Sequence, residues 1–148
     1  MKEESPQSTA LHWAKRGRNA SLVGSDLRGA DLAGVDLRGA DMQRSTLSGG
    51  SLSGAKLTRA LLHNAVFTNV VARSATFAES IGTMVVFRKA DLTGTAFNDA
   101  ELPYADFTDA ILENGQFFAA DLRFSKFTRA NLTNANLSHA SLINADFQ

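Results

Sequence analysis

A large apolar residue returns at every fifth position from Leu22 to Phe147. The series begins Leu22, Leu27, Leu32, Leu37, Met42, and only Ala72 and Gly82 break it. Two residues before each member stands a small one: Ala20, Ser25, Ala30, Val35 and so on to Ala145, always Ala, Ser, Gly, Val or Thr. A period of five fits neither a helix nor a strand. It requires the chain to turn the same corner every five residues, with one small and one large side chain pointing inward. The last residue of a repeat is often Gly or Asn, as at Gly24, Gly29, Asn64, Asn69 and Asn134. These types tolerate the positive φ that a type II turn demands.

The phenylalanines fix how many repeats close one coil. Phe67, Phe87, Phe107, Phe127 and Phe147 are spaced by 20, and so are Phe77, Phe97 and Phe117. The alternate positions, Leu62, Leu102, Leu122, Leu142 and Leu92, Leu112, Leu132, hold no Phe. Four repeats therefore make one coil, with Phe columns on two opposite faces and Leu columns on the other two. This is an all-β chain, a four-sided parallel β-solenoid of about six and a half coils over residues 20–148. At the spacing of stacked strands the rod is about 30 Å long.

"SDLRGADLAGVDLRGAD", "ADLTG", "ADLRF" and "ANLTNANLSHASLINADF" carry the phrase A(D/N)LXX. The chain resembles the pentapeptide repeat family over residues 20–148. That resemblance implies a right-handed quadrilateral parallel β-helix. Some members protect type II topoisomerases by resembling duplex DNA in shape and charge. They tend to be acidic along the rod and dimeric through their C-terminal ends.

Bulk composition narrows the partners. Lys plus Arg is 15 and Asp plus Glu is 15, a net charge of zero. That disfavours a globally basic nucleic-acid binder and a globally acidic decoy alike. With no cysteine, disulfides and thiolate metal sites are excluded. The N-terminus "MKEESPQS" has no signal-peptide core and no run of 18 apolar residues occurs, so a soluble, cytoplasmic chain with no membrane contact is expected.

Residues 1–19 precede the coil. Ser5 as N-cap, Pro6 at the first helical position and Gly17 as the stop predict a short capping helix over 6–16. Leu11 or Trp13 would then cover the first coil. At the other end no cap follows. Leu132, Leu137, Leu142 and Phe147 form a last coil facing water, so either the chain is a fragment or another surface covers this end. End-to-end pairing into a two-fold homodimer is the simplest cover. Within 70–86 the register is intact despite Ala72 and Gly82. Continuous coils are expected there, with a bulge or local disorder of the wall, and with a neighbour such as Met84 leaning in to fill the gap at Gly82.

No catalytic, metal or cofactor site emerges, and an enzyme is not expected. His12, His63 and His139 are scattered, with no carboxylate pair at ligand spacing. Asp26, Asp31, Asp36 and Asp41 occupy the second place of four successive repeats, so they project from four faces and bond locally to turns.

Function is therefore sought on the exterior. The second place of a repeat should be polar, yet it is Leu61, Val66, Val71, Ile81, Val86 and Ile111. Leu61 and Ile81 share one face, and Val66 and Val86 share the next. Met84, Tyr104 and Phe124 run along the corner between them. This apolar strip marks a partner-binding surface. Charge is also segregated. Residues 44–89 carry six cations and only Glu79, whereas Asp91, Asp99, Glu101, Asp106, Asp109, Glu113 and Asp121 form an acidic band with no Lys or Arg among them. Such a band can attract a DNA-binding protein. The leading reading is a non-enzymatic scaffold that docks another protein through its walls. The alternative is a DNA mimic that binds and protects a type II topoisomerase such as DNA gyrase.

Overall fold

Every fifth residue from Asn19 to Asn144 has positive φ, between 54° and 70°. The residue before each does not, which is the signature of a type II turn. In the computed structural model, which describes residues 11–12 and 14–148, the turns are joined by single parallel bridges between positions 20 apart. One column runs Ser21, Asp41, Leu61, Ile81, Glu101, Asp121, Ser141, and three others run parallel to it. Four columns and four turns per coil make a four-sided rod. Each face is only a few residues wide, too short for regular strands, so pairing is through isolated bridges.

The phrase A(D/N)LXX follows from hydrogen-bond accounting, because nearly every buried backbone group must be paired. The Leu22 N–H donates to Asp41 C=O at 2.7 Å, Gly24 N–H to Gln43 C=O at 2.8 Å, and Asp41 N–H to Ala20 C=O at 2.9 Å. Ser25 N–H closes the turn on Leu22 C=O at 3.0 Å. That settles four of the five N–H groups of a repeat. The fifth, just after the large residue, has no backbone acceptor. Asp or Asn at the second place accepts it: Asp31 Oδ1 takes Ala33 N–H at 3.1 Å, Asp41 takes Gln43 at 3.2 Å, and Asn136 takes Ser138 at 3.0 Å. Asp26 and Asp36 do the same for Arg28 and Arg38. The four successive aspartates thus sit in four separate turns.

Burial follows the five-residue period. Leu22 through Phe127 in the large series, and most of the small series, form one core. The two Phe columns meet in the middle of the rod. Within a column the rings stack, as in Phe67–Phe87 at 4.9 Å and Phe97–Phe117 at 4.9 Å. Between columns they meet edge to face, as in Phe87–Phe97 at 5.6 Å and 81°. Both arrangements suit the ring quadrupole.

At the N-terminal end Leu11, His12, Ala14 and Lys15 are helical. Leu11 packs against the core and Ala14 is fully buried. Arg16, the last residue of the expected helix, lies in a turn, and the rest of it, with the cap residue Ser5, Pro6 and Trp13, lies outside the described residues.

The middle departs from expectation at one side chain. Bridges run without interruption through Val71, Thr76, Ile81 and Val86, so the coils are continuous. Met84 does not lean inward; it is 56% exposed. Val85 fills the gap instead. A Cβ placed on Gly82 would lie 2.6 Å from Val85 Cγ2 and 2.9 Å from Leu62 Cβ. Val85 occupies a place normally held by Ala, so a larger neighbour compensates the missing side chain. Among the described residues this is also the one turn from Asn19 onward whose closing N–H bond is absent. The buried Ser80 Oγ nearby has no hydrogen-bond partner.

Candidate interaction surface

The strip expected from the sequence lies together on one edge of the rod. Leu61 bridges Ile81, and Val66 bridges Val86 on the adjoining face. Ile81 is exposed, while Leu61, Val66 and Val86 are half-buried. On the corner between them Met84, Tyr104 and Phe124 all project into solvent. The Tyr104 and Phe124 rings stack at 4.8 Å with planes 6° apart. Pro103 and the exposed Ile143 extend the apolar lane. Elsewhere Val71 and Ile111 are exposed on another face, and Phe118 meets His139 edge to face at 5.2 Å.

Two local preferences of the coil go unmet at this edge, as they do at the corners of Arg44, Arg59, Glu79 and Lys89 and on the walls at Lys56, Val71 and Ile111. The corner position takes positive φ, which costs a bulky residue about 1 kcal/mol or more. Met84, Tyr104 and Phe124 accept it at 59°, 62° and 61°. Leu61, Val66, Ile81 and Val86 also replace the Asp or Asn that would accept the turn N–H. For Ile81 the deficit is met by His63 Nδ1, which takes Thr83 N–H at 3.0 Å. The N–H groups of His63, Thr68 and Arg88 have no protein acceptor among the described residues. A fold selected only for stability would place Gly or Asn on the corner and Asp or Asn on the walls.

The acidic band is largely neutralised. Arg73 pairs with Asp91 at 2.6 Å, Arg88 with Asp106 at 2.6 Å, Arg123 with Asp121 at 2.7 Å and Arg129 with Asp109 at 2.7 Å. Glu113 accepts from Asn131 Nδ2 at 2.7 Å. Only Asp99 and Glu101 of the seven lack a side-chain bond among the described residues. The arginines of the basic middle thus reach one coil onward, and the two bands meet rather than standing apart.

Asp106 is the most enclosed of these acids, with its residue 8% exposed. Burial pushes its carboxyl up. Hydrogen bonds from the Thr108 side chain and N–H and from Arg88, with that guanidinium's charge, outweigh burial, so the group sits below its ordinary 3.8. A lowered folded value means the stabilising contribution is complete above the unfolded value and is lost as pH falls through the folded one. Chemical denaturation of wild type between about pH 5 and pH 2 should show this acid limb, to which the similarly lowered Asp91, Asp109 and Asp121 also contribute, and Asp106→Asn should make it shallower. An unchanged acid limb in the variant would place the titrating group elsewhere.

At the far end Leu132, Leu137 and Leu142 are half-buried. Phe147 is 48% exposed and stacks on Phe127 at 4.9 Å. No group of three or more His, Asp or Glu among the described residues could hold a metal ion. No helix among them is long and apolar enough to cross a membrane.

The family model described as pentapeptide repeats matches eight copies over residues 18–49, 51–81, 85–114 and 116–148. The chain belongs to the pentapeptide repeat family. Pentapeptide repeat proteins form right-handed quadrilateral β-helices and are generally non-enzymatic scaffolds. Among solved structures, the chain is similar to a trypsin-treated form of QnrB1, a plasmid-mediated fluoroquinolone resistance protein. The two share 19% identity over 91% of this chain and 86% of that one, with a TM-score of 0.44. It is also similar to a pentapeptide repeat protein of the Arabidopsis thaliana thylakoid lumen, at 23% identity over 86% and 66% of the two chains and a TM-score of 0.36. A pentapeptide repeat protein from Nostoc shares 22% identity over 94% of this chain and 99% of that one, with a TM-score of 0.37. No curated protein matches the sequence.

Proposed function

We propose that this pentapeptide repeat protein is a non-enzymatic scaffold that docks another protein through the edge of Leu61, Val66, Ile81, Met84, Val86, Tyr104 and Phe124. The observation that carries the reading is that apolar side chains on one corner and on both adjoining walls lie side by side at the surface over successive coils. Three bulky side chains hold a left-handed corner in successive coils, and four apolar side chains replace turn-bonding Asp or Asn beside them. Where sequence runs against local structure, function is the usual reason. A contiguous apolar patch is also the common mark of a contact surface.

The alternative, a DNA mimic that protects a type II topoisomerase, would use the acidic band. Four of its seven acids are paired with arginine. A duplex presents unpaired phosphates at regular spacing, so the pairing favours the scaffold reading.

Affinity capture with the wild-type chain, compared with the triple variant Met84→Asn, Tyr104→Asn, Phe124→Asn, tests the proposal. The bound partner should be lost from the triple variant. It should be retained by Lys56→Ser with Gln116→Ser, which alters another wall. Loss from the second variant and retention by the first would place the contact on the wrong side of the rod.

A further inference from the structure

We infer that the partner segment seated on the Met84–Tyr104–Phe124 corner is cationic, placing apolar side chains on the ridge and a Lys or Arg over Asp99 and Glu101. The inference rests on the docking reading above and adds the chemistry of what docks.

Charge on this part of the rod is distributed unevenly once the ion pairs are accounted for. Asp91, Asp106, Asp109 and Asp121 each face a guanidinium, and Glu113 is held by Asn131. Asp99 and Glu101 are exposed and make no ion pair among the described residues. Both stand in the coil of Tyr104, on the Ile81 side of the ridge: Glu101 bridges Ile81 and Asp121, and Asp99 lies on the next corner. The nearest cations on that flank and the opposite one, Arg123 and Arg88, are tied to Asp121 and Asp106. Unscreened negative charge therefore adjoins the apolar ridge on one side.

The other flank presents a cation at the level of Phe124. Lys126, beside Phe124 on the Val86 face, stands between Asp106 and the exposed Asp146 in its column, is itself exposed and makes no ion pair among the described residues. It repels a bound cation and so fixes which way the segment lies. An apolar ridge with unpaired carboxylates on one side and a lysine on the other reads both the composition and the orientation of its ligand.

The test uses the isotope-labelled full chain and two synthetic amphipathic peptides, one of Leu and Lys, the other of Leu and Glu. The Leu/Lys peptide should shift the amide signals of Ile81, Met84, Glu101, Tyr104 and Phe124, more weakly as salt is raised. Glu101→Lys should weaken its binding by about tenfold, the scale of exchanging a close attraction for a repulsion. Glu113→Lys, the same charge change on a distant corner, should leave binding nearly unchanged, and Lys126→Glu should tighten it. If the Leu/Glu peptide binds the same residues equally well, the cationic partner is refuted while the docking edge stands. If both peptides leave the ridge signals in place, or shift only the opposite faces, the docking edge falls as well. Equal weakening by Glu101→Lys and Glu113→Lys would reduce the effect to overall charge and overturn the inference.

Discussion

Phe107→Ala should lower the unfolding free energy by about 3–5 kcal/mol, the range for truncating a buried aromatic. Phe107 is fully buried at the centre of one Phe column and faces the other. It stacks on Phe87 at 5.1 Å and on Phe127 at 5.0 Å, and meets Phe97 and Phe117 edge to face at 5.8 and 6.0 Å. Four ring contacts are lost together. The cavity cannot close by collapse, because each coil is held at fixed spacing by bridges above and below. Thr128→Ala, one place beyond a large core residue and pointing outward, should change stability by no more than about 0.5 kcal/mol. Equilibrium denaturation of the two variants checks the inward and outward assignment. Similar losses in both would contradict it.

The second large effect concerns Gly82 and Val85. Gly82→Leu restores the five-residue period on paper, yet it should destabilise by about 3 kcal/mol, at the upper end of overpacking. The new Cβ would meet Val85 Cγ2 at 2.6 Å and Leu62 Cβ at 2.9 Å. Val85→Ala alone leaves a void beside a residue with no side chain and should also destabilise. Together the two substitutions exchange a large-for-small pair, so the double variant should recover much of the loss. A favourable coupling of about 1–3 kcal/mol is expected from a double-mutant cycle. Additive losses would mean that the open turn at Gly82–Val85 has another cause.

These two experiments address the part of the molecule that is most legible in its residues. The coil length follows from the 20-residue spacing of Phe67, Phe87 and Phe107, because identical rings stack between coils. The inward positions follow from the period of five. The bonding of Asp26, Asp31, Asp36 and Asp41 to local turns follows from their falling in successive repeats. That a neighbour fills the gap at Gly82 is legible in the sequence; the neighbour is Val85 and not Met84. Val at the small inward place of the repeat after a Gly in the large place is the signal, since the larger side chain compensates the adjacent vacancy; Val35 and Val70 hold that place without such a Gly. Met84 sits at a corner with φ of 59°, which points its side chain outward.

The ion pairs were the least legible feature. Charge counted along the chain separates a basic stretch from an acidic one, whereas the coil places residue 73 beside residue 91 and residue 88 beside residue 106. The spacing of 18, one coil less two residues, is the rule that joins them, and it recurs in Arg18–Asp36 at 2.9 Å and Asn131–Glu113 at 2.7 Å. It depends on side-chain reach as well as on period. The apolar strip, in contrast, was located from sequence residue by residue. What the sequence leaves open is the occupant, because an apolar surface has no direction of its own and only the charges flanking it discriminate.

The central claim is that the corner of Met84, Tyr104 and Phe124 is kept for contact at the expense of the coil. Thermal and chemical unfolding of the triple variant Met84→Asn, Tyr104→Asn, Phe124→Asn tests it most directly. Asn is at ease with positive φ, which relieves about 1 kcal/mol of strain at each corner. That relief offsets the loss of the Tyr104–Phe124 stack, worth about 0.5–1.5 kcal/mol. The account predicts a variant as stable as wild type or more so, and unable to hold the partner. A loss of about 2 kcal/mol or more would show that the ridge stabilises the rod itself, and would contradict the claim.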